Sequence, residues 1–220
     1  LVAIALLKVA GWCNDRFILH NFENKKELID DKNVGAGAVL GGSYIASGLI
    51  LAGAFSGRLD DDLGDALGGR LEVASQELMV ALGLFVLGQV VLAVYGRVYQ
   101  WSQPHNVLEA IEKDYEANGI KHGGNAAAGL AFGGNLAAVG LVLFGGIRHD
   151  FEGWQPMLEH FAVAAGLALV LLPAWRIFVD KVMLSGADLG KEIYTDRNMN
   201  AALLETVSII GLATVLVFSI

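Results

Sequence analysis

The sequence predicts an all-α polytopic bundle of about six transmembrane helices, built as three tandem two-helix repeats, and three observations carry that expectation. Of 220 residues, 55% are hydrophobic and only 17% charged, where a soluble domain usually carries about 25% charge, and the mean hydropathy is +0.53. Long stretches contain no Asp, Glu, Lys or Arg at all, and one of them recurs 92 positions later. A disordered chain needs low hydrophobicity and a disulfide scaffold needs several cysteines, so this composition, with Cys13 alone, excludes both.

Taken in order, the front stretch Leu1 to Asn14 carries a single Lys8 and is too short to span alone. In a chain that opens on Leu it reads as the end of a span whose true start is missing, and no small-residue cleavage site follows it to suggest a signal peptide. Val34 to Gly57, Leu78 to Gly96 and Gly123 to Ile147 are uncharged for 24, 19 and 25 residues, each enough to cross about 30 Å of hydrocarbon. Phe161 to Trp175 has only 15 uncharged residues, but Glu159 and His160 fit one headgroup layer while Arg176 snorkels into the other. Asn198 to Ile220 is interrupted only by Glu205.

Alternate loops differ in charge. Residues 14–33, 97–122 and 176–197 hold eleven Lys and Arg, whereas the other two loops hold Arg58, Arg70 and Arg148. The positive-inside rule then places the three longer loops in the cytoplasm. The net charge of −8 gathers on the opposite side, and no basic nucleic-acid footprint exists.

The recurring stretch sets the architecture. Asn33 to Leu51 and Asn125 to Leu143 share 9 of 19 residues without a gap, and a weaker copy begins at Asn200. The expected units are residues 1–57, 78–147 and 157–220, the last divergent, and since each crosses twice they run parallel. Asn33, Asn125 and Asn200 (or Asn198) are expected as helix caps, their side chains accepting from first-turn amides that have few other partners at a membrane entry. Gly37, Gly41 and Gly48 fall within about 40° on a helix and rise about 16 Å. Gly129, Gly133 and Gly140 repeat that ridge. In lipid, flat small-residue faces let helix backbones approach, so both ridges are expected to pack, on each other or on another subunit. The third copy offers Leu204, Ser208 and Val215 there and is expected to use another contact.

The stretch Asp-Lys-Asn-Val at 31–34, the Ala/Gly-rich span after it and their echo from Asn125 resemble the domain of unknown function 350 family, uncharacterised bacterial membrane proteins made of two-span units. That resemblance implies a multi-pass inner-membrane protein and brings no reaction or catalytic residue with it.

Polar groups inside spans are the first functional candidates, because burying one without a partner costs several kcal/mol. Gln89 and Asn135 lie mid-span and suit hydrogen bonds between helices. Glu205, about two turns into its span, suits a cation, a proton or an ion pair, with Lys8 as one conceivable counter-ion. Asp60, Asp61, Asp62 and Asp65 break the order of a calcium loop and read as a solvated turn. His20, His105, His122, His149 and His160 lack metal or haem spacing, and no nucleophile elbow or phosphate loop is present. No cofactor, metal or catalytic residue is therefore expected. Two linker segments have helical spacing: Val107, Leu108, Ile111 and Tyr115 after Pro104, and Leu184, Leu189 and Ile193. The functional expectation is a membrane subunit of a homo-oligomer or larger complex, with a bilayer and other chains as its partners. The alternative is an ion or small-solute channel or transporter that uses Glu205, Gln89 and Asn135.

Overall fold

The computed structural model describes residues 2–20, 25–57, 67–117 and 120–220. It is a helical bundle in which five helices are long and apolar enough to cross a membrane: Val34–Ala54, Ala74–Ser102, Ala126–Ile147, Trp154–Met183 and Met199–Val217. The front stretch forms α1 (Val2–Cys13), only 12 residues long, which widens into a π turn at Asn14–Ile18. After a second such turn at Lys26–Asp30 comes α2 (Val34–Ala54), whose last carbonyls, those of Ala52 and Gly53, accept from Ser56 Oγ.

Helix α3 (Leu67–Ser102) runs 36 residues and stops just before Pro104, where the proline ring disfavours helical geometry in the residue ahead of it. The linker beyond it holds α4 (Val107–Glu112), with Val107, Leu108 and Ile111 buried. A short antiparallel ribbon follows, β1 (Tyr115–Ala117) paired with β2 (Ile120–His122). Tyr115, expected on the helix, thus lies on a strand: Lys113, the C-cap residue, is already extended at ψ 113°.

Helix α5 (Ala126–Ile147) occupies the centre of the bundle. The next crossing is one run in four pieces, α6 (Trp154–Gly166), a π turn (Leu167–Leu171), α7 (Leu172–Phe178) and a second π turn (Val179–Met183). Pro173 lacks the amide that would complete the ladder, and the widened turn just ahead of it accommodates the ring. Helix α8 (Leu189–Tyr194) buries Leu189 and Ile193, while Leu184 sits in the turn before it, and α9 (Met199–Val217) closes the chain. Both linker helices pack their apolar faces on the bundle itself: α4 on α2 and α5, α8 on α5 and α9.

Candidate functional site

Three helices, α2, α5 and α9, form the spine, and one interface joins them twice. Between α2 and α5, a Cβ added at Gly42 would strike the backbone of Gly133, and one added at Gly53 would meet Ile147 Cβ at 3.2 Å. Between α5 and α9, Gly134 faces Thr206 and Gly145 faces Val217 and Ile220. Gly134 and Gly145 stand 92 residues after Gly42 and Gly53, while Thr206 and Ile220 stand 73 after Gly133 and Ile147. Helix α5 therefore offers one glycine face forward to α9 and a different one backward to α2, with no room for side chains where backbones touch.

The caps follow the same rule. Asn33 accepts from Ala36 N at 3.1 Å and Asn125 from Ala128 N at 3.0 Å, while Asn198 accepts from Asn200 N and Ala201 N. Each cap is preceded by a residue in the left-handed region: Lys32 at φ 51°, Gly124 at 51° and Arg197 at 54°. The cap side chains also donate forward, Asn33 Nδ2 to Ile111 O of α4 at 2.8 Å and Asn125 Nδ2 to Ile193 O of α8 at 2.9 Å. Asn33 Nδ2 further donates to Glu27 at 2.7 Å, and Asn198 Nδ2 to Glu192 at 2.8 Å. These bonds satisfy polar groups that would be costly to leave bare in apolar surroundings.

A second polar cluster joins the third unit to the second. Glu205, 1% exposed, accepts at Oε1 from Arg176 Nε (3.1 Å), Asn135 Nδ2 (3.0 Å) and Tyr99 OH (3.3 Å). Asn135 Oδ1 accepts from Tyr95 OH at 2.7 Å, and the Tyr99 and Tyr194 hydroxyls meet at 3.1 Å. The Arg176 guanidinium lies 6.0 Å over the Tyr99 ring. Burial and the Glu205 carboxylate push the Tyr194 hydroxyl well above the ordinary phenol range, so it stays a proton donor. Glu205 Oε2 and Arg176 Nη2 are buried without a protein hydrogen-bond partner. Two opposite charges held side by side among hydroxyls and an amide form a compensated pair that latches α3, α5, α7, α8 and α9 at one level.

Several expectations are corrected by this geometry. Asn200 is not a cap: it lies within the first turn of α9, and Asn198 caps it. The register of the third copy therefore shifts by two, so its backward face is Ala202, Thr206 and Ala213, all buried, rather than Leu204, Ser208 and Val215. It uses the same contact as its siblings. The two glycine ridges do not pack on each other. Gly129, Gly133 and Gly140 seat on Gly35, Ala38 and Ala46 of α2, but nothing lies within 4 Å of a Cβ at Gly41 or Gly48, and Gly37 meets only Leu28. A helix with a neighbour on each side needs two small faces, and a single ridge describes one.

Lys8 is exposed on α1, and Arg176 is the counter-ion of Glu205. Gln89 stands apart from Asn135 and Glu205, donating to Ser47 Oγ at 3.2 Å to tie α3 to α2. The acidic cluster Asp60, Asp61, Asp62 and Asp65 lies outside the described residues. Among the described residues no group of three or more metal-ligating side chains comes together.

Residues that sequence reasoning missed are Arg176, Tyr95, Tyr99, Tyr194, Glu27 and Glu192. The last two carried a signal, a Glu six residues ahead of a capping Asn in units one and three. At the opposite end of the bundle His149 stacks on His160 with ring centroids 4.6 Å apart. Its pKa is held below the ordinary histidine value by burial, then by His160 and Arg148, with Asp150 and a backbone hydrogen bond at Gly145 opposing.

No curated protein and no solved structure matches the chain. The family described as Domain of Unknown Function (DUF350) matches it in two consecutive parts, residues 1–71 and 72–220. The boundary falls between α2 and the apolar part of α3, where one span pair gives way to the next. A twofold match over the whole length, on a chain whose spine repeats one interface, makes this protein a member of the DUF350 family.

Proposed function

We propose that this protein is an integral inner-membrane subunit, with its long linkers in the cytoplasm, that assembles into an oligomer or larger membrane complex and catalyses no reaction of its own. The observation that carries the reading is the ridge of Gly37, Gly41 and Gly48, bare at Gly41 and Gly48 and touched only by Leu28 at Gly37, whose counterparts Gly129, Gly133 and Gly140 are sealed against a neighbouring helix. Lipid tails are as apolar as a helix surface, so association in a bilayer depends on close backbone contact, and a bare small-residue ridge offers that contact. The eleven-to-three split of Lys and Arg between alternate loops supports the orientation. The test is native mass analysis of the protein gently released from its own membrane. A complex of two or more chains is expected, and a monomer under every gentle condition overturns the reading.

A second reading has its own observation. Asn135 and Glu205 converge with Arg176 inside the bundle, and intramembrane ionisable groups mark ion or proton paths. Proton or cation flux into liposomes that Glu205→Gln abolishes, with assembly intact, is the result that favours it over the subunit role.

A further inference from the structure

Resting on the subunit reading, we infer that the occupant of the bare α2 ridge is the outer face of α9 from a second copy of this chain. The interface used twice within one chain is thereby used again between chains. The direction of the array is fixed inside the molecule. The forward face of α2 (Gly42, Gly53) takes the backward face of α5 (Gly133, Ile147), and the forward face of α5 (Gly134, Gly145) takes the backward face of α9 (Thr206, Ile220). Among the described residues two faces are left over. One is the backward face of α2, where the same registers put Gly41, Gly48 and Phe55. The other is the forward face of α9, where they put Val207, Gly211 and Phe218. A Cβ at Gly41, Gly48 or Gly211 meets nothing, and Phe55, Val207 and Phe218 are exposed. Val207 stands where the forward faces of α2 and α5 have glycine, and it would meet the open Gly41, while Phe218, which stands where they have Gly53 and Gly145, would meet Phe55 ring against ring at the far end.

A second, polar observation points the same way. Asn33 and Asn125 each donate to the linker helix of the following unit, at Ile111 O and Ile193 O. Asn198 occupies the same place in the third unit and donates only backward, to Glu192. Its forward acceptor would be the turn at Lys26–Asp30 of the next copy, which stands before Asn33 as α8 stands before Asn198, with Glu27 and Glu192 in matching roles.

The curvature limits the size of the assembly. On α5 the backward and forward faces lie about 120 to 140° apart at about 100° per residue. Successive spine helices then turn by about 40 to 60°, and six to nine of them, meaning two or three copies, close a ring. Head-to-tail contacts of this kind form rings when the rotation closes, and parallel units keep every copy in one orientation across the membrane. The ring would face inward with the half-buried side of α5, which carries Ala137, Leu141 and Phe144.

The experiment co-expresses two differently tagged copies in a Cys13→Ser background, one carrying Gly41→Cys and the other Val207→Cys, with oxidation in native membranes. Both sites are open, so neither substitution disturbs the monomer, and backbones as close as those of Gly42 and Gly133 satisfy disulfide reach. The expected result is a covalent species carrying both tags, lost when Gly48→Leu is added to the copy carrying Gly41→Cys, with no 41–41 or 207–207 species and a native mass of two or three copies. Crosslinks only between identical positions overturn the head-to-tail arrangement. A stable complex that never joins 41 to 207 overturns this inference and leaves the subunit reading standing, whereas a strict monomer overturns both.

Discussion

Asn135 donates to Glu205 Oε1 at 3.0 Å across 70 residues of sequence, so the only acid of the last span is held by an amide in the central one. With Arg176 on the other side, the carboxylate is paired but enclosed, and the consequence is asymmetric. Removing one partner strands the other, whereas removing both does not. Glu205→Ala should lower stability in detergent by about 3 to 5 kcal/mol, and the double variant Glu205→Leu with Arg176→Met should recover most of that loss. Equal destabilisation by the single and the double variant would show that the pair is not coupled.

The glycines separate in the same way. Gly133 touches backbone of α2, so Gly133→Leu must drive two helices apart, and overpacking of that kind costs about 1 to 3 kcal/mol or more. A Cβ at Gly41 meets nothing within 4 Å and the position is exposed, so Gly41→Leu should leave the melting temperature of the isolated monomer unchanged. Thermal melts of the two variants at a detergent dilution that keeps the chain monomeric check this, and equal shifts would contradict the assignment of faces.

The caps offer a contrast between neighbours. Asn33→Ala removes a cap and the forward bond to Ile111 O, for a loss of about 1 to 3 kcal/mol. Asn198→Ala should cost about 1 kcal/mol, and Asn200→Ala, within the first turn of α9, should cost little. Chemical denaturation of the three variants ranks them, and a large effect at position 200 would restore it as the cap.

Lys32 pays for its place ahead of Asn33 with a left-handed backbone at φ 51°, a conformation that disfavours an L side chain by about 1 to 2 kcal/mol. The equivalent position before Asn125 is Gly124. Lys32→Gly should therefore raise the melting temperature slightly or leave it unchanged, against the usual trend for glycine substitutions.

His149 supplies the pH dependence. Its folded pKa lies below its unfolded value, so the unfolded chain binds the extra proton first as pH falls. Its contribution is complete above the ordinary histidine pKa of about 6.5 and is lost as pH drops from there through the folded value. Melting temperatures recorded from pH 8 to pH 5 should fall at the acid end, and His149→Leu should flatten that limb. An unchanged slope in the variant would assign the acid limb to other groups.

Much of this architecture was legible in the sequence, and the reasons are particular. The apolar stretches expose the spans because hydrocarbon thickness sets their length. Asn33 and Asn125 are readable as caps because each stands where polar chain meets apolar helix. Asn198 and Asn200 both meet that description around Met199, so only the hydrogen bonds tell them apart, and a register error of two residues then hides the third copy's packing face. The ridge at Gly129, Gly133 and Gly140 is legible as small residues on one side of a helix. Whether the identical ridge on α2 is covered depends on what stands beside it, which periodicity does not encode. Arg176 reads as a snorkelling end of a span because charge and position are visible in sequence and direction is not. Its orientation toward Glu205 comes from α7 packing against α9.

The forward-reaching caps also say something about the order in which the protein can mature. Asn33 waits for α4, and Asn125 waits for α8, so a nascent chain entering the membrane always carries one unfinished joint at its growing end. Each joint is completed only when the next unit emerges from synthesis. Translation thus sets the sequence of closure, the joint at Asn33 before the joint at Asn125.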